Sequence, residues 1–178
     1  MPASARRPPF RTLVHLHLRD LIYGAIDGSV TTFAVVSGVI GAGLRPELVI
    51  VLGTAGLIGD GFSMAAGNYL GTQADQQREP PVGPAPRPTD AAMATFAAFL
   101  LAGAMPLLPY VASAVGIAVP NVEAASIGLT AATFFGVGAA KSAIVNSRWW
   151  AAGLESLLVG SAAAGLAYAC GYVLRGLA

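Results

Sequence analysis

The stretch IYGAIDGSVTTFAVVSGVIGAG, residues 22–43, is almost entirely apolar or small, yet it contains the carboxylate of Asp27. A run of about 20 apolar residues is long enough to cross a membrane as a helix. An ionised aspartate at bilayer depth costs about 2.5–3.5 kcal/mol on insertion scales. Such residues face a partner, a cavity or an ion path, and the sequence predicts one of these surroundings for Asp27.

The composition indicates an integral membrane protein. Of 178 residues, 55% are hydrophobic and 11% charged, whereas soluble domains carry about 25% charged residues. The net charge of +1 and the scattered basic residues do not support a nucleic-acid partner. No nucleophile elbow, phosphate loop or cysteine-histidine cluster is present, so neither an enzyme nor a resident cofactor is indicated.

The N-terminus and the single cysteine say little about the compartment. Cys170 is the only cysteine, which excludes an internal disulfide. No short apolar core with a small-residue cleavage site follows the first arginines, so we expect no removable signal peptide. The lack of a long targeting extension favours a bacterial plasma membrane as the location.

Five apolar segments predict an all-α membrane protein of five transmembrane helices, at residues 21–43, 48–72, 91–115, 123–145 and 153–175. Residues 1–20 form a polar and basic segment that could lie on the membrane as an amphipathic helix, with Asp20 as the N-cap of the first span. Residues 73–90 contain five prolines between Pro80 and Pro88, which favours an extended linker.

The distribution of Lys and Arg predicts the orientation of the spans. Eight basic residues fall at the N-terminus, in the 73–90 linker and near Lys141 and Arg148, whereas the opposite side holds only Arg45 and Arg175. Because positive charge favours the cytosolic side, we expect the N-terminus and the linker in the cytosol and the C-terminus on the opposite side.

The second span, GLIGDGFSMAAGNYLG at residues 56–71, adds a second carboxylate within the membrane. Asp60, Met64 and Asn68 recur every four residues and drift by only about 80° around a helix, so they share one face. Counted from the expected cytosolic ends, Met64 is nearly level with Asp27, and Asp60 lies about 6 Å deeper. This ladder of oxygen and sulfur groups is typical of a cation path.

The chemistry of these ligands favours a first-row divalent ion. Carboxylate and amide oxygens suit hard or borderline ions, and a thioether tolerates softer first-row metals better than magnesium or calcium. The mixed set therefore points to Fe²⁺ or Mn²⁺. A carboxylate in a low-dielectric site also holds a proton readily, so exchange of metal for protons follows naturally.

Several of these features have structural alternatives. Met64 could fill a helix contact, Asn68 could be interfacial, and the aspartates could hold helices together. Thr31 and Thr32 could line a path near Asp27, but we expect them to return hydrogen bonds to their own helix.

Several other residues receive no transport role. Lys141 is expected to snorkel to the interface, and Glu123 and Glu155 stand at expected helix starts. The histidines His15 and His17 are not assigned to a metal site, and Pro106 and Pro109 allow a kink.

Small residues four apart indicate close helix contacts. Gly24 and Gly28 form one such pair, and Gly67 and Gly71 form another. Small-xxx-small pairs let helices approach closely in lipid. The pattern fits plain packing within the chain and a specific dimer face equally well.

The segments LRDLIYGAIDGSVTTFAVVSGVIGA, DGFSMAAGNYLG, PLLPY and LESLLVGSAAAGLAYACGYVL resemble membrane helices of the vacuolar iron transporter family. The resemblance covers nearly the whole chain from Arg19 to Leu174. It implies a homodimer of five-helix subunits that moves ferrous iron or manganese out of the cytosol, in exchange for protons. It also implies that Asp27 and Met64 line the path at the dimer axis, where two copies of Asp27 offset a divalent charge.

The chain departs from that family at two places. Asn68 stands where the family motif commonly has Glu, and Asp60 could supply the missing carboxylate. The proline linker stands where well-characterised members carry a metal-gathering cytosolic domain, so the chain resembles a short form with weaker metal capture. A non-transporting membrane scaffold and a transporter of another cation or small solute are the rival functions.

Overall fold

The protein is an assembly of membrane-spanning helices. The computed structural model describes residues 10–81, 83, 85–145 and 147–177. Within these residues, five helical segments are long and apolar enough to cross a membrane, which confirms the predicted all-α, five-span architecture. The helices are α1 (Phe10–Ala42), α2 (Glu47–Arg78), α3 (Pro88–Gly103), α4 (Leu108–Ala114), α5 (Val122–Val145) and α6 (Trp149–Leu174).

Helix α1 begins earlier than the sequence suggested. It runs from Phe10 to Ala42 without interruption, so the predicted N-cap at Asp20 is wrong. Residues 10–20 contain neither proline nor glycine, and nothing in them stops a helix from continuing into the span. Asp20 therefore lies in the helix interior, where its carboxylate is available to other helices.

The end of α1 is set by a left-handed glycine. Gly43 has φ +65°, a conformation that glycine adopts without steric cost. The amide of Gly43 donates to the carbonyl of Ile40, and that of Leu44 to the carbonyl of Val39, which closes the last turn as a Schellman motif. The guanidinium of Arg175 adds a bond to the Ala42 carbonyl at 3.3 Å.

Helix α2 continues about two turns beyond its predicted end. It extends to Arg78 rather than to residue 72, because residues 73–78 are compatible with a helix and the proline block starts only at Pro80. The connection to α3 is therefore short, and Pro88 occupies the first turn of α3. The Gln76 side chain donates to the Pro86 carbonyl at 2.7 Å and ties the linker to α2.

The third span is broken where the sequence places its prolines. Helix α3 ends at Gly103, a 3₁₀ turn covers Met105–Leu107, and α4 completes the span. The buried Ser126 hydroxyl on α5 donates to the Pro106 carbonyl at 2.7 Å. The structure thus has a full break where the prolines were expected only to allow a kink, and a neighbouring helix satisfies the Pro106 carbonyl.

Helix α1 is the centre of the bundle and contacts α2, α3, α5 and α6. It runs parallel to α3, because Gly24 faces the backbone of Thr95 and Gly28 faces that of Phe99. The pair Gly24 and Gly28 therefore serves packing within the chain. The core below this contact is formed by Val36, Val39, Val49, Leu107 and Tyr110.

Helices α5 and α6 form a hairpin in which Lys141 pairs with Glu155. Glu123 lies in the first turn of α5, as predicted. Glu155 does not start a helix, because α6 begins at Trp149; instead its carboxylate accepts from Lys141 at 3.2 Å. This contact accounts for both Lys141 and Glu155.

Candidate functional site

The two carboxylates predicted inside the membrane lie on the exposed sides of two neighbouring helices. These exposed sides together form the open side of the bundle. Asp27 is on α1 and Asp60 is on α2, and both side chains are exposed in the isolated chain. An exposed pair of carboxylates within membrane-spanning helices requires a cover other than lipid.

Met64 and Asn68 are half-buried residues on α2 and line a cleft of about 970 Å³. The cleft continues along α2 to Asp75 and Glu79 and reaches the linker at Pro86. It therefore connects the level of the Met64 thioether with the end of α2 that we expect in the cytosol. Two members of the predicted ladder, Met64 and Asn68, lie on the wall of this cleft, whereas Asp60 lies outside its lining.

The Asn68 amide is the centre of an interhelical hydrogen-bond network. Its nitrogen lies 2.6 Å from the Thr95 hydroxyl on α3 and 2.9 Å from a carboxylate oxygen of Asp20 on α1. A third and longer contact, 3.3 Å, reaches the Ala91 carbonyl, and the amide oxygen accepts from Thr72 at 3.3 Å. Three helices thus meet at one side chain.

The carboxylate of Asp20 is engaged on both oxygens. One oxygen accepts from Asn68, and the other lies 3.2 Å from Nδ1 of His17, one turn earlier on α1. His17 is buried, with 7% of its surface exposed. Asp20 was not predicted to be part of the site, although its spacing of seven residues from Asp27 places both on one face of a helix.

The contact between Asp20 and Asn68 fixes the relative levels of α1 and α2. From this contact Asp27 lies seven residues along α1, or roughly 10 Å. On α2, Met64 lies four residues away and Asp60 eight, or roughly 6 and 12 Å. Asp27 is therefore level with Asp60 rather than with Met64.

A second contact supports the same register. A Cβ at Gly28 would touch the backbone of Phe99, and a Cβ at Gly61 would lie 3.1 Å from its ring. The neighbours Asp27 and Asp60 are thus at similar depth, and the predicted level of Met64 is wrong by about one turn. The error arose because both helices extend beyond the ends from which depth was counted.

The hydroxyls near Asp27 behave differently from one another. Ser29 donates to the Ala25 carbonyl of its own helix at 2.8 Å. Thr32 is 2% exposed, and its hydroxyl has no hydrogen-bond partner among the residues that the structure describes. The expectation that Thr32 bonds to its own helix is therefore wrong.

The arrangement provides carboxylate oxygens from two helices and a thioether one turn away. Among the described residues, no three His, Cys, Asp or Glu side chains lie close enough to hold a metal ion together. The chain carries two carboxylates, Asp27 and Asp60, on its exposed face.

Comparison with known proteins identifies the family. A sequence model of the VIT family matches residues 18–82 and 76–172, and so covers most of the chain. This chain belongs to the VIT family. As a VIT family member it carries both candidate carboxylates, Asp27 and Asp60, and Met64 within the matched residues.

Individual relatives match over a shorter stretch. The Vacuolar iron transporter of Plasmodium berghei (strain Anka) is 40% identical over 58 residues, which cover 33% of this VIT family chain and 21% of that protein. The protein of the same name from Plasmodium falciparum (isolate 3D7) is 37% identical over 60 residues, or 34% of the chain and 22% of that protein. The Vacuolar iron transporter of Toxoplasma gondii (strain ATCC 50861 / VEG) is 35% identical over 60 residues, which cover 34% of this chain and 20% of that protein.

Proposed function

We propose that the protein transports a divalent metal ion, Fe²⁺ or Mn²⁺, out of the cytosol along the face that carries Asp27, Asp60 and Met64. The observation that carries the proposal is the pair of carboxylates at one depth on the open side of α1 and α2. Intramembrane carboxylates mark ion pathways. The relatives named Vacuolar iron transporter support iron as the cargo.

The cleft supplies a route towards these carboxylates. Its lining contains three carboxylates and two guanidinium groups, together with the amide of Gln76 and the thioether of Met64; the charged residues are Asp20, Asp75, Glu79, Arg19 and Arg78. The three carboxylates outnumber the two arginines by one, and this small surplus of negative charge favours hydrated cations. Beyond the cleft, the mixed oxygen and sulfur set favours Fe²⁺ or Mn²⁺ over Mg²⁺ or Ca²⁺.

The functional unit is a homodimer whose two copies face each other through the open side of α1 and α2. Five small residues, spaced four apart, lie exposed along α2: Ala55, Gly59, Ser63, Gly67 and Gly71. This stripe permits the close approach of another helix in lipid. A second copy would shield Asp27 and Asp60 from lipid and bring four carboxylates around one axis.

Exchange for protons follows from the number of carboxylates. Four neighbouring carboxylates cannot all remain ionised in a low-dielectric site without a cation. They bind protons when the metal leaves and release them when it returns. An inward proton gradient would therefore drive the metal out of the cytosol.

The surplus of basic residues at the N-terminal end of α1 and in the linker supports a cytosolic N-terminus. The parasite relatives are named for the vacuole and lend no support to a bacterial plasma membrane. Export from the cytosol is compatible with either membrane.

Flux into sealed liposomes tests the proposal. We expect wild type to move Fe²⁺ and Mn²⁺ when a proton gradient is applied, and Asp27→Asn to lower flux by about a hundredfold while remaining folded. Asp90→Asn, in the exposed first turn of α3, is the matched control and should keep full flux.

Competition between ions for transport identifies the cargo. Absence of flux from a folded wild-type dimer would contradict transport and favour a scaffold.

A further inference from the structure

The contacts of Asn68 suggest a role that differs from metal coordination. A metal would bind the amide oxygen, because the amide nitrogen is a donor without a free lone pair. The nitrogen is directed at Asp20 and Thr95, at 2.9 and 2.6 Å. Its two hydrogens are thus used by two other helices.

The orientation of this amide is dictated by its neighbour. An ionised carboxylate only accepts hydrogen bonds. If the Asn68 amide were flipped, its oxygen would face the Asp20 oxygen across 2.9 Å without a proton between them. Since Asp20 is also held by His17 on its second oxygen, the amide has one favourable orientation.

We propose that Asn68 and Asp20 form a clamp that sets the register of α1 and α2, and that Asn68 serves the ion route as a positioning residue rather than as a ligand. The proposal rests on the transport function proposed above. Met64 lies one turn from the clamp on α2, and Asp27 lies two turns from it on α1. The clamp therefore holds Met64 and Asp60 at fixed levels relative to Asp27.

The third helix makes the clamp rigid. Thr95 on α3 is 1% exposed, and its backbone packs directly against Gly24 of α1. Asn68 therefore donates to a helix that is itself fixed to α1. Sliding of α2 along α1 would break the bonds to Asp20 and Thr95 together.

A reciprocal exchange of side chains separates a clamp from a ligand. Asn68→Asp keeps the shape but removes the donor and places a second carboxylate against Asp20. We expect a lower melting temperature, a maximal metal flux reduced by about tenfold, and a KM changed by less than about threefold. The double variant Asp20→Asn with Asn68→Asp restores a donor and an acceptor, and should recover most of both losses.

The same variants can overturn the clamp. If Asn68 were a ligand, the stronger carboxylate ligand would lower KM for Mn²⁺ and leave the melting temperature unchanged. Failure of the double variant to recover flux and stability would equally contradict the proposal. If Asn68→Asp does not fold, recovery of folding in the double variant still decides the question.

Two controls keep this test distinct from the transport proposal. Asp90→Asn removes one charge from the exposed first turn of α3, outside the cleft lining and the Asn68 side-chain network, and should leave the melting temperature and maximal flux near wild type. If wild type shows no flux, transport is contradicted, whereas the recovery of melting temperature in the double variant still tests the clamp.

Discussion

Two faces of the bundle carry the same pattern of glycines and have opposite surroundings. On α1, Gly24 and Gly28 lie against the backbone of α3, whereas on α2 a Cβ at Gly67 or Gly71 would meet none of the described residues within 4 Å. A pair of glycines four residues apart allows another helix to pack closely, but it does not identify which helix packs there. The α1 face is covered by α3 of the same chain, whereas the α2 face is exposed and could be covered only by a different partner.

The largest expected effect is the loss of the α1–α3 contact. A Cβ at Gly28 would lie 2.9 Å from the Cα of Phe99, and backbone atoms cannot move aside as a flexible side chain can. Overpacking costs about 1–3 kcal/mol and occasionally more, and Gly28→Leu also separates two helices. We expect little monodisperse protein by size-exclusion chromatography after extraction.

Gly128→Leu is the control for that change, because this glycine on α5 has open space around it. It should give a normal elution profile. A Gly28→Leu protein that elutes and unfolds like wild type would show that α1 and α3 are not in direct backbone contact.

The second prediction concerns the open face of α2. Gly67→Leu adds a bulky side chain where the isolated chain has free space, so the fold of each chain should be retained. The close approach of a second copy would be blocked. We expect the mass measured by light scattering to fall from dimer to monomer, and metal flux to fall with it. A variant that remains dimeric would place the second copy elsewhere.

Local chemistry determined most of what the sequence predicted correctly. The five spans followed from apolar runs that must satisfy their own backbone in lipid. Pro106, which has no N–H for the helix, marked the place at which the third span is interrupted. Asp27 and Asp60 stood out because charge is rare within a span, and their role as site residues stays a prediction. Each of these inferences needed only residues close together in the chain.

Contacts between helices set the features that sequence reasoning missed. Nothing local to Asn68 indicates that Asp20, 48 residues away, shares a hydrogen bond with it. Without that bond, the level of Asp27 had to be counted from helix ends, and both ends were misplaced. Thr95 carried no signal of its own, because a threonine within a span is unremarkable until its neighbour is known.

The smallest expected effect concerns the buried side of α1, and tests whether a hydroxyl there lacks a hydrogen-bond partner. Thr32 follows Gly28 by one turn on α1, and its buried hydroxyl has no partner among the described residues. Thr130 on α5 is equally buried, but its hydroxyl donates to the Ser126 carbonyl at 2.6 Å. Valine has nearly the same shape as threonine and no polar atom.

An unpaired buried polar group costs about 1–3 kcal/mol, so Thr32→Val should raise the free energy of unfolding by about 1 kcal/mol. Thr130→Val loses a hydrogen bond and should lower it by about 0.5–1.5 kcal/mol. Thermal and denaturant unfolding of the purified protein measure both. If Thr32→Val destabilises the protein instead, the contact of α1 with its neighbours contains a polar partner for this hydroxyl, and the two glycine-lined faces differ less than their packing suggests.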